Sequence, residues 1–177
     1  MAVQQRLTPT LYDKLVADLD ISGMRDTGDE LPTVSREKFR YYSVPTLERF
    51  NEAALRATIR RDLAWLFNTT NLESLVDLEP YPHVRESVLN FGLSDLAGRT
   101  LDRRTVLARA REIRRAIRLF EPRLAKDGLT VDPVEDQTDP HSLTYLIQGD
   151  ISAAAQVMAV KFRTEVEAET ASVTVRE

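Results

Sequence analysis

The sequence contains no cysteine. Disulfide bonds, a thiolate nucleophile and zinc–thiolate sites are therefore excluded, and the composition favours a reducing, cytoplasmic compartment. The first residues lack the apolar core of a signal peptide, and no apolar run in the chain is long enough to span a bilayer. We therefore expect a cytoplasmic protein that does not insert into a membrane.

Residues that build common catalytic and cofactor sites are also scarce. The two histidines, His83 and His141, both lie beside prolines, and neither belongs to a metal-binding pattern such as His-Glu-x-x-His. The six glycines are scattered, so the chain has no glycine-rich phosphate loop and no Gly-x-Ser-x-Gly nucleophile elbow. We expect no metal, no cofactor and no enzymatic activity.

A glycoside hydrolase is the enzyme class that the carboxylates could still support. It needs two carboxylates about 5–9.5 Å apart, one of them in an apolar setting. By elimination the candidates are Asp62, Glu73, Asp95 and Glu121. Asp62 follows two arginines and Glu121 lies two residues before Arg123, and such ion pairing opposes the protonation that a catalytic acid requires. We therefore favour a non-enzymatic function.

Positive charge is concentrated in one stretch of the chain. Residues 99–124 contain nine arginines and three acidic residues, a charge of +6, whereas the whole chain carries −4 and the remainder therefore −10. This asymmetry suggests a docking surface more than a catalytic pocket. The overall acidity, with a pI near 5.4, argues against a dedicated nucleic-acid-binding protein. Phosphate binding by the arginines stays open as a minor alternative, which a steep salt dependence would reveal.

The same stretch is predicted to form an amphipathic helix. Its apolar residues recur at steps of three and four, which places them on one face: Val106, Ala110, Ile113, Ile117, Phe120 and Leu124. Thr100 or Asp102 caps its start, and Pro122 ends it near Glu121. Glu121 then lies at the negative end of the helix dipole, where a carboxylate costs about 0.3–1 kcal/mol. Either Arg123 or a cation of a partner compensates for it, unless Glu121 is simply a surface side chain beside the proline.

The N-terminal part is predicted to be a short helix on a tether. The helix opens at Thr8–Thr10 and carries a leucine stripe, and residues 22–40 read as a linker of low apolar content. The stripe consists of Leu11, Leu15 and Leu19. The helix either folds back on its own domain or docks on a partner. We divide the chain into this helix with its linker, residues 1–45, and one domain, residues 46–177.

Two further helices are predicted before the arginine-rich one. The first begins at Pro45–Thr46 or, after a break, near Asn51, and it ends at Asn68. The second is a short helix over residues 83–91, which stops at Gly92 as a left-handed cap.

After Gly128 the hydrophobic period changes from helical to alternating. Four segments alternate, the first of which contains Pro133 and so lies at a sheet edge, and the last of which covers residues 171–175. Since helices come first and strands second, we expect an α+β fold, with N-terminal helices packed on one face of a C-terminal antiparallel β-meander.

Four segments, taken in order, resemble a known family. They are Leu7–Leu15 (LTPTLYDKL), Leu55–Thr69 (LRATIRRDLAWLFNT), Tyr81–Leu96 (YPHVRESVLNFGLSDL) and Ile117–Leu124 (IRLFEPRL). Together they are similar to the TssE family of baseplate wedge proteins in bacterial type VI secretion systems, and to the lysozyme-like wedge subunit of contractile phage tails. The resemblance covers nearly the whole chain except the linker.

The resemblance implies a structural subunit in a baseplate at the cytoplasmic face of the inner membrane. The implied partners are the wedge proteins TssF and TssG and the TssB–TssC sheath, with TssK and the spike or hub as further candidates. The family's Glu-Pro-Arg motif, matched by Glu121, Pro122 and Arg123, is its contact with the wedge core bundle. We add Arg118, one helical turn earlier, to this predicted partner-binding surface.

The family's sheet is also similar to the inner domain of the sheath protein, in which neighbouring subunits exchange strands. The last strand, carrying Val173 and Val175, is a terminal edge that a partner strand can extend. We hypothesise that this edge seeds the first sheath ring; the alternative is a solvated edge protected by Arg176 and Glu177. Because of the lysozyme-like label, a peptidoglycan hydrolase is the alternative function. A zymogram would distinguish it from a structural role.

Overall fold

The computed structural model describes residues 9–16, 50–96, 102–134, 142–152, 158–167 and 172–176. The helices are α1 Leu11–Val16, α2 Glu52–Phe67, α3 Pro82–Arg85 and α4 Arg103–Phe120, and 3-10 turns cover Leu72–Ser74 and Val88–Asn90. The strands are β1 Thr130–Val134, β2 Ser142–Ile151, β3 Met158–Glu167 and β4 Val173–Arg176. In this part of the chain no helix combines the length and apolar character needed to cross a membrane.

The four strands form one antiparallel meander in the order β1-β2-β3-β4. Alternate side chains of β3 are buried, and the register places Tyr145 of β2 opposite Thr164 and Ile147 opposite Phe162, all four of them buried. Helix α4 packs against β1 and helix α2 against β4, so both long helices contact the sheet and share one hydrophobic core with it. The α+β prediction is confirmed, as is the position of Pro133 in an edge strand.

Helix α2 begins at a side-chain cap. The Asn51 side chain accepts a hydrogen bond from the Ala54 N–H at 2.9 Å, which satisfies one of the first amides of the helix. This agrees with the predicted break near Asn51, whereas Pro45–Thr46 lies outside the described residues. The predicted stripe is buried in the core: Leu55, Ile59, Leu63 and Leu66.

Helix α4 has the predicted ends. Asp102 caps its start, where the Thr105 N–H donates to Oδ1 at 2.7 Å, and this hydrogen bond lowers the pKa of the Asp102 carboxyl. The helix stops at Phe120, immediately before Glu121 and Pro122. Of the predicted apolar face, Ala110, Ile113, Ile117 and Leu124 are buried.

The predicted helix over residues 83–91 is wrong. The chain makes one α-turn, α3, and then the second 3-10 turn, because its backbone must turn back toward the end of α2. Gly92 is not a helix cap: its φ is +124°, and a Cβ there would lie 2.3 Å from the Thr69 carbonyl oxygen. Next to it, the Leu93 N–H donates to that same oxygen at 2.8 Å. Gly92 is therefore required by a close backbone contact.

Helix α1 packs on α2 of its own chain. Asp13 of α1 and Arg61 of α2 form a fully buried ion pair at 2.7 Å, and the Tyr12 and Trp65 rings meet edge to face with centroids 4.9 Å apart. Thr10 caps the helix by exchanging hydrogen bonds with Asp13. Of the two options for this helix, the described residues show folding back. The linker, Thr8 and Leu19 lie outside them, and the proposed boundary at residue 45 stays a prediction.

Candidate functional site

The Glu-Pro-Arg segment forms a tight corner after α4 in which the two charged side chains pair with each other. Arg123 holds both carboxylate oxygens of Glu121, with Nε 2.7 Å from Oε1 and Nη2 2.5 Å from Oε2. The Arg123 backbone N–H also donates to Oε1, at 3.1 Å. Glu121 is only 3 % exposed, so the reading of a surface glutamate is wrong. Pro122, between the two, is exposed.

Arg123 also reaches across to α2. Its Nη2 lies 2.5 Å from Oδ2 of Asp62, and its Nη1 donates to the Thr58 hydroxyl at 3.2 Å. Burial lowers the pKa of the Arg123 guanidinium, but the hydrogen bonds and charges of Glu121 and Asp62 outweigh burial and raise that pKa above its ordinary value. Arg123 is therefore the local cation that compensates Glu121 at the negative end of the helix dipole.

The charged network continues from the corner to the N-terminal helix. Asp62 accepts a hydrogen bond from Nε of Arg61 at 2.8 Å, and Arg61 in turn pairs with Asp13. The Arg61 guanidinium lies over the rings of Tyr12 and Trp65, 4.7 and 4.8 Å from their centroids. Alternating charges thus connect α2 to α1 and to the corner that follows α4.

The corner is also fastened to the sheet. Its Arg123 carbonyl accepts hydrogen bonds from both the backbone N–H and the hydroxyl of Ser152, at 2.9 and 3.1 Å. The Ala125 N–H donates to the Asp150 carbonyl at 2.8 Å, and Leu124 forms an isolated antiparallel bridge with Ile151. Pro122 is therefore presented by a rigid turn.

An open groove of about 290 Å³ runs beside this corner. Its walls are mostly apolar and include Leu63, Trp65, Leu66, Phe91, Phe120 and Pro122. The polar side chains of Thr10, Tyr12, Asp62, Glu121 and Arg123 also line it. The Phe91 and Phe120 rings pack edge to face, 5.3 Å apart. The volume lies at the lower limit of small-molecule sites, and aromatic walls of this kind suit side chains of a protein partner.

The other predicted partner-binding residues lie elsewhere. Arg118 is exposed on α4, where its Nη2 donates to the Lys126 carbonyl at 2.9 Å. The side chains of Val173 and Val175 are buried in the core, so β4 can offer a partner only its backbone edge. At Val173 even that edge is occupied, because the Asn68 amide accepts from its N–H and donates to its carbonyl, both at 2.9 Å.

Three of the four carboxylates considered for hydrolysis are engaged by arginines, and two of these share one guanidinium. Arg123 engages both Asp62 and Glu121, whereas Glu73 pairs with Arg85 and Arg115 at 2.8 and 3.0 Å. Asp95 is exposed. Among the described residues, no group of three or more acidic or histidine side chains is arranged to hold a metal ion.

Sequence reasoning missed three polar residues that fix these surfaces. The role of Asp13 in the leucine-rich first helix was not predicted, although Thr10-x-x-Asp13 is a recognisable capping pattern. Arg109 lies off the predicted apolar face of α4, but it is buried and bonds the Ser94 carbonyl at 2.7 Å and Glu112 at 3.0 Å. The strand contact of Asn68 left no signal in the sequence.

The comparison with known families agrees with this architecture. The model of the family described as baseplate wedge protein gp25 matches residues 53–156, more than half of the chain, and the match includes the Glu-Pro-Arg corner. No curated protein matches the chain. The chain belongs to the gp25 family of baseplate wedge proteins, structural components of contractile injection systems.

Proposed function

We propose that this chain is a TssE-type wedge subunit of a type VI secretion baseplate, placed at the cytoplasmic face of the inner membrane, and that it docks on the wedge proteins TssF and TssG through its Glu-Pro-Arg corner. Membership of the gp25 family supports the baseplate part of the proposal. The four matching sequence segments support the secretion-system part.

The observation that carries the docking proposal is the apolar groove beside the corner. Glu121 and Arg123 satisfy each other inside the chain, so their charges shape the turn and do not need a partner. Pro122 is exposed, and the aromatic side chains of the groove are half-buried and so still open to a partner on one side. A helix of the wedge core bundle that inserts apolar side chains there gains buried aromatic contacts, which dominate binding energy at many interfaces.

The rigid corner lowers the cost of this association. Because the turn is already fixed by the ion pairs and by hydrogen bonds to the sheet, little backbone or side-chain freedom is lost on binding. In this proposal the motif acts as an organiser of the groove, and Arg118 contributes only a peripheral charge.

A matched pair of substitutions tests the docking proposal. Pro122→Asp places a charge at the groove while leaving the ion pairs intact, and Gln148→Asp adds the same charge at an exposed position of β2. With both variants folded, we expect Pro122→Asp to lose co-purification of TssF and TssG and Gln148→Asp to retain it. Retention by Pro122→Asp would overturn the proposed site.

We further propose that the outer edge of β4 seeds the TssB–TssC sheath by strand addition. The N–H and carbonyl of Val173 face away from β3 toward Asn68, and residues of an antiparallel strand alternate, so those of Val175 face outward as well. A sheath strand therefore pairs from Val175 onward, or it displaces the Asn68 amide.

Proline substitutions distinguish a loss of strand addition from a loss of stability of the chain itself. Val175→Pro removes an outward N–H without breaking the ladder to β3. Val131→Pro is the control, because it removes a similarly buried valine from the opposite edge strand, two residues from Pro133. At equal melting temperatures, we expect only Val175→Pro to block sheath assembly in cells; normal sheaths in that variant would contradict strand addition.

The proposed role is non-enzymatic. A zymogram with purified protein and peptidoglycan is expected to show no clearing, because the candidate carboxylates Glu121 and Asp62 are both held by Arg123. A cleared band would favour the hydrolase alternative.

A further inference from the structure

Exposed hydrophobic side chains are concentrated on one short stretch of this protein. Among the described residues, ten large hydrophobic side chains are exposed, and five of them fall within residues 75–89. We call these five the apolar platform: Leu75, Val76, Tyr81, Val88 and Leu89. Their exposed fractions range from 48 to 83 %. Isolated exposed leucines are common on soluble proteins, but such a concentration marks an interaction surface.

The platform is rigid and is not a loose loop. Asn90 is 2 % exposed, and its amide accepts a hydrogen bond from the Glu73 N–H at 2.9 Å and donates one to the Arg85 carbonyl at 3.0 Å. These bonds hold the two 3-10 turns side by side, so that Leu75 and Leu89 extend from neighbouring turns. The apolar side chains are thus exposed because the fold presents them.

Ion pairs fasten the platform to the rest of the domain. Glu73 bonds Arg85 within the platform region at 2.8 Å and Arg115 of α4 at 3.0 Å. The platform is distinct from the groove, whose walls share only Phe91 with this region.

The charge around the platform specifies the chemistry of its partner. Residues 72–91 carry a net charge of −3. Glu73 is paired with Arg85 and with Arg115 of α4, which leaves Asp77, Glu79 and Glu86 as exposed carboxylates with no ion pair among the described residues. An apolar segment flanked by lysine or arginine is complementary to this arrangement.

The backbone hydrogen bonds of the platform limit which secondary structure the partner segment can have. Its N–H groups are used within the turns, as in the Leu75 N–H bond to the Leu72 carbonyl at 2.9 Å and the Phe91 N–H bond to the Val88 carbonyl at 3.2 Å. Recognition must therefore come from side chains and not from strand pairing. We propose that the apolar platform binds an amphipathic helix of a partner protein, with apolar residues at helical spacing and basic residues on its flanks.

Two synthetic peptides test this proposal. Each is a helix of about 20 residues with leucine at i, i+3, i+4 and i+7, flanked by lysine in one peptide and by glutamate in the other. We expect the lysine peptide to bind at least about tenfold more tightly and to shift the NMR amide signals of residues 72–91. Equal binding of the two peptides, or shifts confined to other regions, would overturn the proposal.

Serine substitutions locate the binding on the platform. We expect Leu75→Ser/Leu89→Ser to weaken binding of the lysine peptide by at least about tenfold, because two exposed leucines are removed from the interface. The control, Leu107→Ser/Leu119→Ser, removes two exposed leucines from α4 and should bind like the unmodified chain. Unchanged binding by the platform variant would refute the site.

Two further results separate this proposal from its alternatives. Self-association of the chain that the platform variant abolishes would identify a second copy as the occupant, and would overturn a foreign helix. Pro122→Asp should bind the lysine peptide normally, so failure of the platform proposal leaves the groove proposal standing, and the reverse also holds.

Discussion

Replacing Arg123 by methionine should unfold this protein far more readily than replacing any exposed arginine. The substitution keeps most of the side-chain length but removes the guanidinium that bonds Glu121, Asp62 and the Thr58 hydroxyl. Glu121 is then left buried with the N–H of residue 123 as its remaining donor from the corner. Removing one partner of a buried ion pair typically costs 3–5 kcal/mol, because the remaining charge is uncompensated.

The structure places the expected loss at the lower end of that range. The side chains of Arg123 and Asp62 are 11 and 21 % exposed, so water can solvate part of what the substitution leaves unpaired. We expect the free energy of unfolding to fall by about 3 kcal/mol, a large part of the roughly 5–15 kcal/mol of a typical domain. For a chain of this size the melting temperature should fall by roughly 6–12 °C.

Urea unfolding measures this loss, followed by far-ultraviolet circular dichroism and by the fluorescence of Trp65, the single tryptophan. Arg118→Met is the control: Arg118 is exposed with one hydrogen bond, and its loss should change stability by less than about 1 kcal/mol. In the double variant Arg123→Met/Glu121→Gln, the unpaired carboxylate is replaced by a neutral amide. Its free energy of unfolding should therefore be higher than that of Arg123→Met alone by about 1 kcal/mol or more. If Arg123→Met is as stable as Arg118→Met, or if Glu121→Gln restores nothing, the corner is not held by its buried charges.

Three further substitutions test separate parts of the fold. Burial raises the pKa of Tyr145 to about 12, so the folded state favours the neutral phenol and its contribution to stability should be lost as the pH rises from about 10 toward 12. Tyr145→Phe should lose less stability over that range, measured as the urea midpoint against pH. Gly92→Ala should lower the free energy of unfolding by more than about 1 kcal/mol, because it combines a positive φ with a clash against the Thr69 carbonyl, and a smaller loss would contradict that geometry. Asn68→Ala should accelerate hydrogen exchange of the Val173 amide at least about tenfold without global unfolding, and unchanged exchange would mean that another group protects this edge.

The fold could be predicted because its signals are local. Helix α4 could be predicted from apolar residues at steps of three and four, from Asp102 as its cap and from Pro122 after its end. All of these signals lie within one stretch of the sequence. The alternating apolar residues of the strands likewise predicted the meander, and Pro133 predicted one of its edge strands. The short helix over residues 83–91 failed because the chain must turn there to bring Gly92 against the Thr69 backbone, which is a tertiary constraint.

The candidate site could be predicted only in part, because its decisive contacts join distant positions. The motif residues Glu121 and Arg123 were found, but their burial depends on Asp62, which lies on another helix. The apolar pattern of α4 did not mark Arg109 as buried, whereas Ser94 and Glu112 provide partly buried acceptors for it. Spacing within one helix cannot reveal which arginine has such partners elsewhere in the fold.

The internal pairing of the corner charges constrains how the site can act. An interface made by Glu121 and Arg123 directly would weaken steeply with salt, and Arg123→Lys would retain part of it. A groove organised by those charges has an apolar interface instead, so association with the wedge should depend little on salt. Arg123→Lys should then fail nearly as badly as Arg123→Met, since one ammonium cannot hold both oxygens of Glu121 and also reach Asp62. The motif would thus be required for binding mainly because its ion pairs hold the groove in shape, although Glu121 and Arg123 also line part of that groove.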